Sequence, residues 1–117
     1  MKVLVVDDNP VNRLLPITWL RNAGHEAVEC CSGYEALERL GGGRYDAMLL
    51  DLSMPGLSGT EVCRQLREQP EHADMRIVAY TAYLQPELVS GFQEAGFDAV
   101  LIKPVTRKAA FKALGIE

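Results

Sequence analysis

The scarcities of this sequence narrow it first. No apolar run exceeds strand length: the longest, at residues 3–6 and 47–50, fall far short of the roughly 18 to 20 residues that a membrane-spanning helix needs. The N-terminus passes from Met1-Lys2 directly into one of these runs and stops at two aspartates. That stretch offers neither the apolar region nor the cleavage site of a secretory signal, so the cytoplasm is the expected location. The only cysteines are Cys30, Cys31 and Cys63. An odd number with two adjacent disfavours a disulfide framework and provides no metal-binding C-x-x-C spacing, so reduced thiols in or near the core are expected. Basic residues cluster nowhere beyond Arg107-Lys108, and the net charge is -4. A nucleic-acid contact needs a cationic face, and this segment has none. Repeats, linkers and low-complexity stretches are missing too, the triplet Gly41-Gly42-Gly43 reading as a flexible loop.

What is present suits one globular domain. A length of 117 residues with 48% apolar side chains is enough for one packed core and too short for two, so a single domain across residues 1–117 is expected. Five short apolar, β-branched runs recur at residues 3–6, 27–30, 47–50, 77–80 and 99–102, and each reads as a strand. Four are nearly continuous in apolar residues, the pattern of parallel strands covered on both faces. The run around Glu26-Ala27-Val28-Glu29-Cys30 is mixed and suits a sheet edge.

Between the runs lie helix-length segments with apolar residues three and four apart: Val11, Leu14, Leu15 and Thr18; Ala36, Leu37 and Leu40; Val62, Cys63 and Leu66; Leu88, Val89 and Phe92. A last, short one covers residues 108–114. Gly24, Gly41 to Gly43 and Gly96 stand where helices need a left-handed C-terminal residue. Pro16 falls inside the first helix and predicts a kink between Asn12 and Pro16, since it removes a backbone bond and crowds the preceding turn. Strands alternating with crossover helices make an open, doubly wound α/β sheet.

In such a sheet, sites form outside the carboxyl ends of the strands. The residues there are Asp7-Asp8, Asp51, Thr81 and Lys103. If the first and third strands are neighbours, as in a flavodoxin-like order, three carboxylates converge on one crevice. Like charges about 4 Å apart repel by roughly 1 kcal/mol in water and about 4 kcal/mol at an effective dielectric of 20, so the cluster requires a cation. A few hard oxygen ligands completed by water match Mg²⁺, or Mn²⁺, better than a calcium cage or a zinc site. Lys103 offers a positive charge to a phosphoryl oxygen and Thr81 a hydroxyl, so carboxylate, metal, ammonium and hydroxyl together compose a phosphoryl-transfer site.

Taken singly, each residue has a plainer explanation. Asn9-Pro10 is an N-cap followed by proline at the first helical position, Asp51 and Thr81 could serve turns or caps, and Lys103-Pro104 could be a surface loop. Their joint placement after strands one, three, four and five carries the inference. Val5-Val6-Asp7-Asp8-Asn9, Asp51-Leu52-Ser53-Met54-Pro55-Gly56, Tyr80-Thr81-Ala82 and Lys103-Pro104 resemble the four signature stretches of response-regulator receiver domains, over essentially the whole chain. The stretch Asp8-Asn9-Pro10-Val11-Asn12-Arg13 further resembles receivers attached to hybrid histidine kinases. The short last helix favours a piece of a longer protein over a stand-alone regulator.

The resemblance implies the strand order 2-1-3-4-5 and a role for each residue. Asp51 would accept a phosphoryl group from the phosphohistidine of a histidine kinase or histidine phosphotransfer domain. Asp8, Asp51 and the Ser53 backbone carbonyl would coordinate Mg²⁺, with Asp7 acting mainly through a water ligand. Thr81 would hydrogen-bond the phosphoryl group, Lys103 would pair with it, and the Lys103-Pro104 peptide would be cis. Ser53 and Tyr83 resemble the variable positions that control access of water to the acyl phosphate. The aromatic that usually stands three residues before the lysine is replaced here by Val100, leaving Thr81 and Tyr83 as the expected moving parts. The domain would be a regulatory phosphoacceptor, monomeric or weakly dimeric through the helical segment around Leu88, Val89 and Phe92, the strand at residues 99–102 and the last helix at residues 108–114, with no membrane contact of its own. A haloacid-dehalogenase-like phosphatase would place two acids two residues apart, and a flavin carrier would place a phosphate loop where Asp7-Asp8 stand. A pseudo-receiver that only binds partners is the alternative, against which stands the presence of all five signature residues.

Overall fold

A computed structural model describes residues 1–52, 54–82 and 94–116. Five strands, β1 (Lys2–Val6), β2 (Glu26–Cys30), β3 (Ala47–Asp51), β4 (Arg76–Thr81) and β5 (Ala99–Ile102), all pair in parallel in the order β2-β1-β3-β4-β5. The described helices are α1 (Pro10–Asn22), α2 (Gly33–Gly41), α3 (Gly59–Arg67) and α4 (Arg107–Leu114), with one 3-10 turn at Pro70–His72. The expected helix around Leu88, Val89 and Phe92 lies outside the described residues, as do Ser53 and Tyr83. None of the described helices is long and apolar enough to cross a membrane.

The apolar runs form strands because both of their faces are covered. Val3 to Val6 and Ala47 to Leu50 are fully buried, and alternation sends neighbouring side chains to opposite sides. Leu4, Val6, Met48, Leu50 and Ile77 pack with Ala36, Leu40, Val62, Cys63 and Leu66 from α2 and α3. On the other side Val3, Val5, Leu49, Val78 and Tyr80 pack with Ile17 and Leu20 of α1 and Phe111 and Leu114 of α4. Truncating one of these buried leucines to alanine typically costs about 2–5 kcal/mol. The mixed run Glu26–Cys30 is indeed an edge strand; β5 is the other edge, with Ile102 exposed.

Three local expectations are corrected or refined. The stripe Val11, Leu14, Leu15 and Thr18 does not face the core: all four are exposed, and Pro16, Ile17 and Leu20 are buried instead. The helix is assigned without a break through Pro16, from Asn9, whose side chain accepts from the Val11 amide at 2.9 Å, to Asn22. The Gly41 to Gly43 triplet is not left-handed; Gly42 ends α2 at φ -104°, because its amide closes onto the Arg39 carbonyl in an ordinary turn. Positive φ is found at Gly24 and Gly96, as expected, and at Gly56 and Gly115. Of the thiols expected near the core, Cys30 and Cys63 are buried, whereas Cys31 is exposed because the strand has ended at Cys30.

Candidate metal and phosphoacceptor site

The ends of β1, β3, β4 and β5 open on one crevice because the order in which strands are added reverses between β1 and β3. The chain winds from β1 to β2 on one side and from β3 outward on the other, leaving a gap between the connections. Asp7 follows β1, where its amide donates to the Cys30 carbonyl at 3.1 Å. Asp51 ends β3 and Thr81 ends β4; the amide of Lys103, just after β5, donates to the Thr81 carbonyl at 2.8 Å. The Lys103-Pro104 peptide is cis, as the resemblance implies.

Side-chain alternation decides which of these groups meet. Positions 47, 49 and 51, positions 78 and 80, and positions 99, 101 and 103 point to the α1 and α4 side of the sheet. Asp51, Tyr80 and Lys103 are thus aimed toward one another and toward Asp7. The Lys103 ammonium lies 3.1 Å from Asp7 Oδ2 and 3.7 Å from Asp51 Oδ1. One carboxylate oxygen each from Asp7, Asp8 and Asp51 falls within 4.8 Å of the others. Asp7 and Asp51 are buried and Asp8 is exposed, so the cluster has a closed floor and an open rim. Three converging hard oxygens with an open side fit an octahedral cation that keeps part of its water.

Asp7 is heavily hydrogen-bonded. Its Oδ1 accepts from the Asn9 amide at 2.9 Å; its Oδ2 accepts from the Tyr80 hydroxyl at 2.7 Å and from Lys103. Burial alone would raise its carboxyl, but the Asn9 amide, the Tyr80 hydroxyl and Lys103 outweigh that and hold it below the usual carboxylate range. Burial, together with the Asp7 and Asp51 carboxylates, pushes the Tyr80 phenol far upward, so its oxygen keeps its proton and donates. Arg13 braces the rear of the site, donating to the Asp7 carbonyl at 2.6 Å while pairing with Glu29 on β2 at 3.1 Å. Thr81, 2% exposed, sits beside this group on the opposite face of β4.

The carboxylates of Asp7, Asp8 and Asp51 and the Lys103 ammonium thus lie together at the strand ends, and Thr81 joins them through its backbone carbonyl, which accepts from the Lys103 amide. Ser53 and Tyr83, assigned modulating roles, fall outside the described residues. Tyr80 was missed, because a tyrosine within an apolar strand reads as core. The signal was available in the alternation, which puts position 80 on the same face as Asp51 and Lys103. Val100 is half-buried and packs against the α2 and α3 side of the core.

This fold and site define a class: doubly wound α/β domains with an acidic pocket at the topological switch point. The chain belongs to the family described as "Response regulator receiver domain", whose model matches residues 3–115. It is 37% identical over 109 residues to the sensory/regulatory protein RpfC of Xanthomonas campestris, matching 90% of this chain and 15% of that protein. With the sensor histidine kinase GacS of Pseudomonas protegens it shares 34% identity, over 92% of this chain and 12% of that protein. The chain thus spans only a small part of the curated relatives it matches. The chemotaxis protein CheY4 of Vibrio cholerae superposes with a TM-score of 0.92 at 30% identity, covering 97% of this chain and 95% of that one. The receiver domain of the Pseudomonas aeruginosa sensor histidine kinase PA1611, solved with a magnesium ion coordinated in its active-site cleft, gives 0.87 at 31% identity over 97% and 93% of the two chains.

Proposed function

We propose that this receiver domain takes a phosphoryl group onto Asp51 from the phosphohistidine of a histidine kinase or histidine phosphotransfer domain, in a reaction that needs Mg²⁺ or Mn²⁺. The observation that carries the reading is the Lys103 ammonium bridging Asp7 and Asp51 beside three convergent carboxylate oxygens. Asp8, Asp51 and Asp7 are the groups that would hold the cation, together with the Ser53 carbonyl. Bound there, a divalent cation offsets the carboxylate repulsion and the charge of phosphoryl oxygens. An Asp51 carboxylate oxygen bonds to phosphorus as the nitrogen–phosphorus bond of the donor breaks, its electron pair returning to the imidazole. Lys103 would transfer its pairing from Asp51, 3.7 Å away, to a phosphoryl oxygen, and the Thr81 hydroxyl would donate to another.

The donor must reach the crevice past α1. The exposed Val11 and Leu15 border a cavity of about 410 Å³ that runs to Lys103 and is walled by Pro16, Trp19 and Val105. An apolar surface of this kind beside a reactive group supports docking of the phosphodonor on α1. Val100 lacks a ring to swing and is stiff at χ1, which supports a modest switch confined to Thr81 and the loop that follows, with Tyr83 the aromatic to move.

Incubation with acetyl phosphate and Mg²⁺, read by intact mass, tests the reading. The wild type should gain one phosphoryl group and Asp51→Asn none while remaining folded, since the amide is a far poorer nucleophile. Uptake by Asp51→Asn at the wild-type rate would sink the assignment, and no uptake by the wild type would leave a module that only binds partners.

A further inference from the structure

Tyr80 has no role in the signature set, yet it makes a hydrogen bond to one of the three clustered acids from a completely enclosed position. A carboxylate offers about four acceptor sites, two on each oxygen. At Asp7, one Oδ1 site is taken by the Asn9 amide, and both Oδ2 sites are taken, by the Tyr80 hydroxyl at 2.7 Å and the Lys103 ammonium at 3.1 Å. One Oδ1 site is left open; a cation that draws on Oδ2 or on both oxygens requires one of those two donors to withdraw, and one held at Oδ1 alone meets a carboxylate whose charge is already shared with them.

They are not equally free to do so. Lys103 is half-buried on a flexible stem and already reaches Asp51 at 3.7 Å, so it has a second partner within range. Tyr80 is 2% exposed, its ring is set in the core with Val5, Leu49 and Val78, and its one other acceptor among the described residues is the Val6 carbonyl at a long 3.4 Å.

Resting on the cation reading given above, we infer that Tyr80 is a positioning residue that acts through Asp7. Its hydroxyl fixes the Asp7 carboxylate and competes with the bound cation for it, stabilising the cation-free domain and weakening divalent binding. The geometry also isolates the hydroxyl for testing. The ammonium of Lys103 lies 4.6 Å from the centre of the Tyr80 ring, a contact that phenylalanine keeps.

The experiment compares the wild type with Tyr80→Phe by calorimetric titration with Mg²⁺ and by urea unfolding at zero and saturating Mg²⁺. The variant should bind Mg²⁺ about three- to tenfold more tightly, because a hydrogen bond to a buried charge no longer competes. Its loss of stability should be large without Mg²⁺ and smaller at saturation, whereas a purely structural tyrosine would give the same loss in both. Unchanged or weaker Mg²⁺ binding, or an equal loss in both conditions, overturns the inference while leaving the cation site standing. No Mg²⁺ binding by the wild type overturns the cation reading, and this inference with it. If Tyr80→Phe is unfolded without the cation, both proteins are titrated while held folded by a stabilising osmolyte, where tighter Mg²⁺ binding by the variant supports the competition and equal or weaker binding overturns it.

Discussion

Replacing Gly59 with alanine is the most incisive test of how Asp51, the proposed phosphoacceptor, is held. Gly59 is the first residue of α3, after the Ser58 cap whose side chain accepts from the Glu61 amide. The missing side chain lets the helix start against the end of β3. A Cβ at position 59 would press into the Asp51 carbonyl oxygen well inside van der Waals contact, and would lie 3.0 Å from Leu52 Cα and 3.1 Å from the Asp51 carbonyl carbon. All three are backbone atoms, so no flexible side chain can yield; helix or strand end must shift by several tenths of an ångström. Overpacking of this kind costs about 1–3 kcal/mol, against a helix-propensity gain for alanine of at most about 1 kcal/mol. The net loss is about 0–2 kcal/mol, a fall in Tm of up to roughly 8 °C at about 4 °C per kcal/mol for a domain of this size. Since the shift falls on the Asp51 backbone, uptake of phosphoryl from acetyl phosphate should slow about tenfold, misplacement of a reacting group being costly. Calorimetry and time-resolved intact mass read the two effects. A Gly59→Ala protein with wild-type Tm and wild-type uptake would refute the argument.

Acid should weaken the fold through Asp7. Its carboxyl is held below the range of the unfolded chain, near 3.9, so the unfolded state binds more protons in acid; the contribution is present above that value and lost as pH falls through it and toward the folded value. Urea midpoints from pH 6 to pH 3 should fall less for Asp7→Asn than for the wild type, and parallel curves would contradict the assignment. The thiols should separate cleanly, because burial pushes Cys30 up to about 12 and Cys63 up to about 11 while Cys31 is exposed. An aromatic disulfide reagent at pH 8 should titrate one thiol in the native protein and three in denaturant; three fast thiols in the native protein would show an open core. On α1, Leu14→Glu should change stability by no more than about 0.5 kcal/mol, whereas Leu20→Ala should cost about 2–5 kcal/mol. Denaturant unfolding of the two checks which face of the helix is packed, and the reverse ranking would reject the orientation.

The sheet was legible in the sequence because a strand covered on both sides must be apolar at every position, as residues 3–6 and 47–50 are. The site was legible because chemistry in such a sheet gathers at the strand ends, and a run of apolar residues that stops at an acid marks one. The same logic failed on α1. Val11, Leu14 and Leu15 have the spacing of a buried face, but spacing cannot distinguish a face packed against the sheet from one left for another molecule. Nor does composition show which face Pro16 will take; it is buried beside Ile17. Tyr80 escaped because its hydroxyl matters only through a partner 73 positions away, a distance that no local pattern spans.

The alternation along β4 has a larger meaning than its packing. Tyr80 and Thr81 are adjacent, yet one points to the side of α1 and α4 and the other to the side of α2 and α3. The sheet is therefore a partition, with Asp51, Tyr80 and Lys103 on one side of it and the threonine on the other. Under the proposed reaction, a charge gained at Asp51 would be met from beyond the partition by the neighbour of the residue that anchors Asp7. Substitutions that retune the resting pocket and substitutions that retune what is heard on the far side can accumulate independently, on two faces separated by one peptide bond.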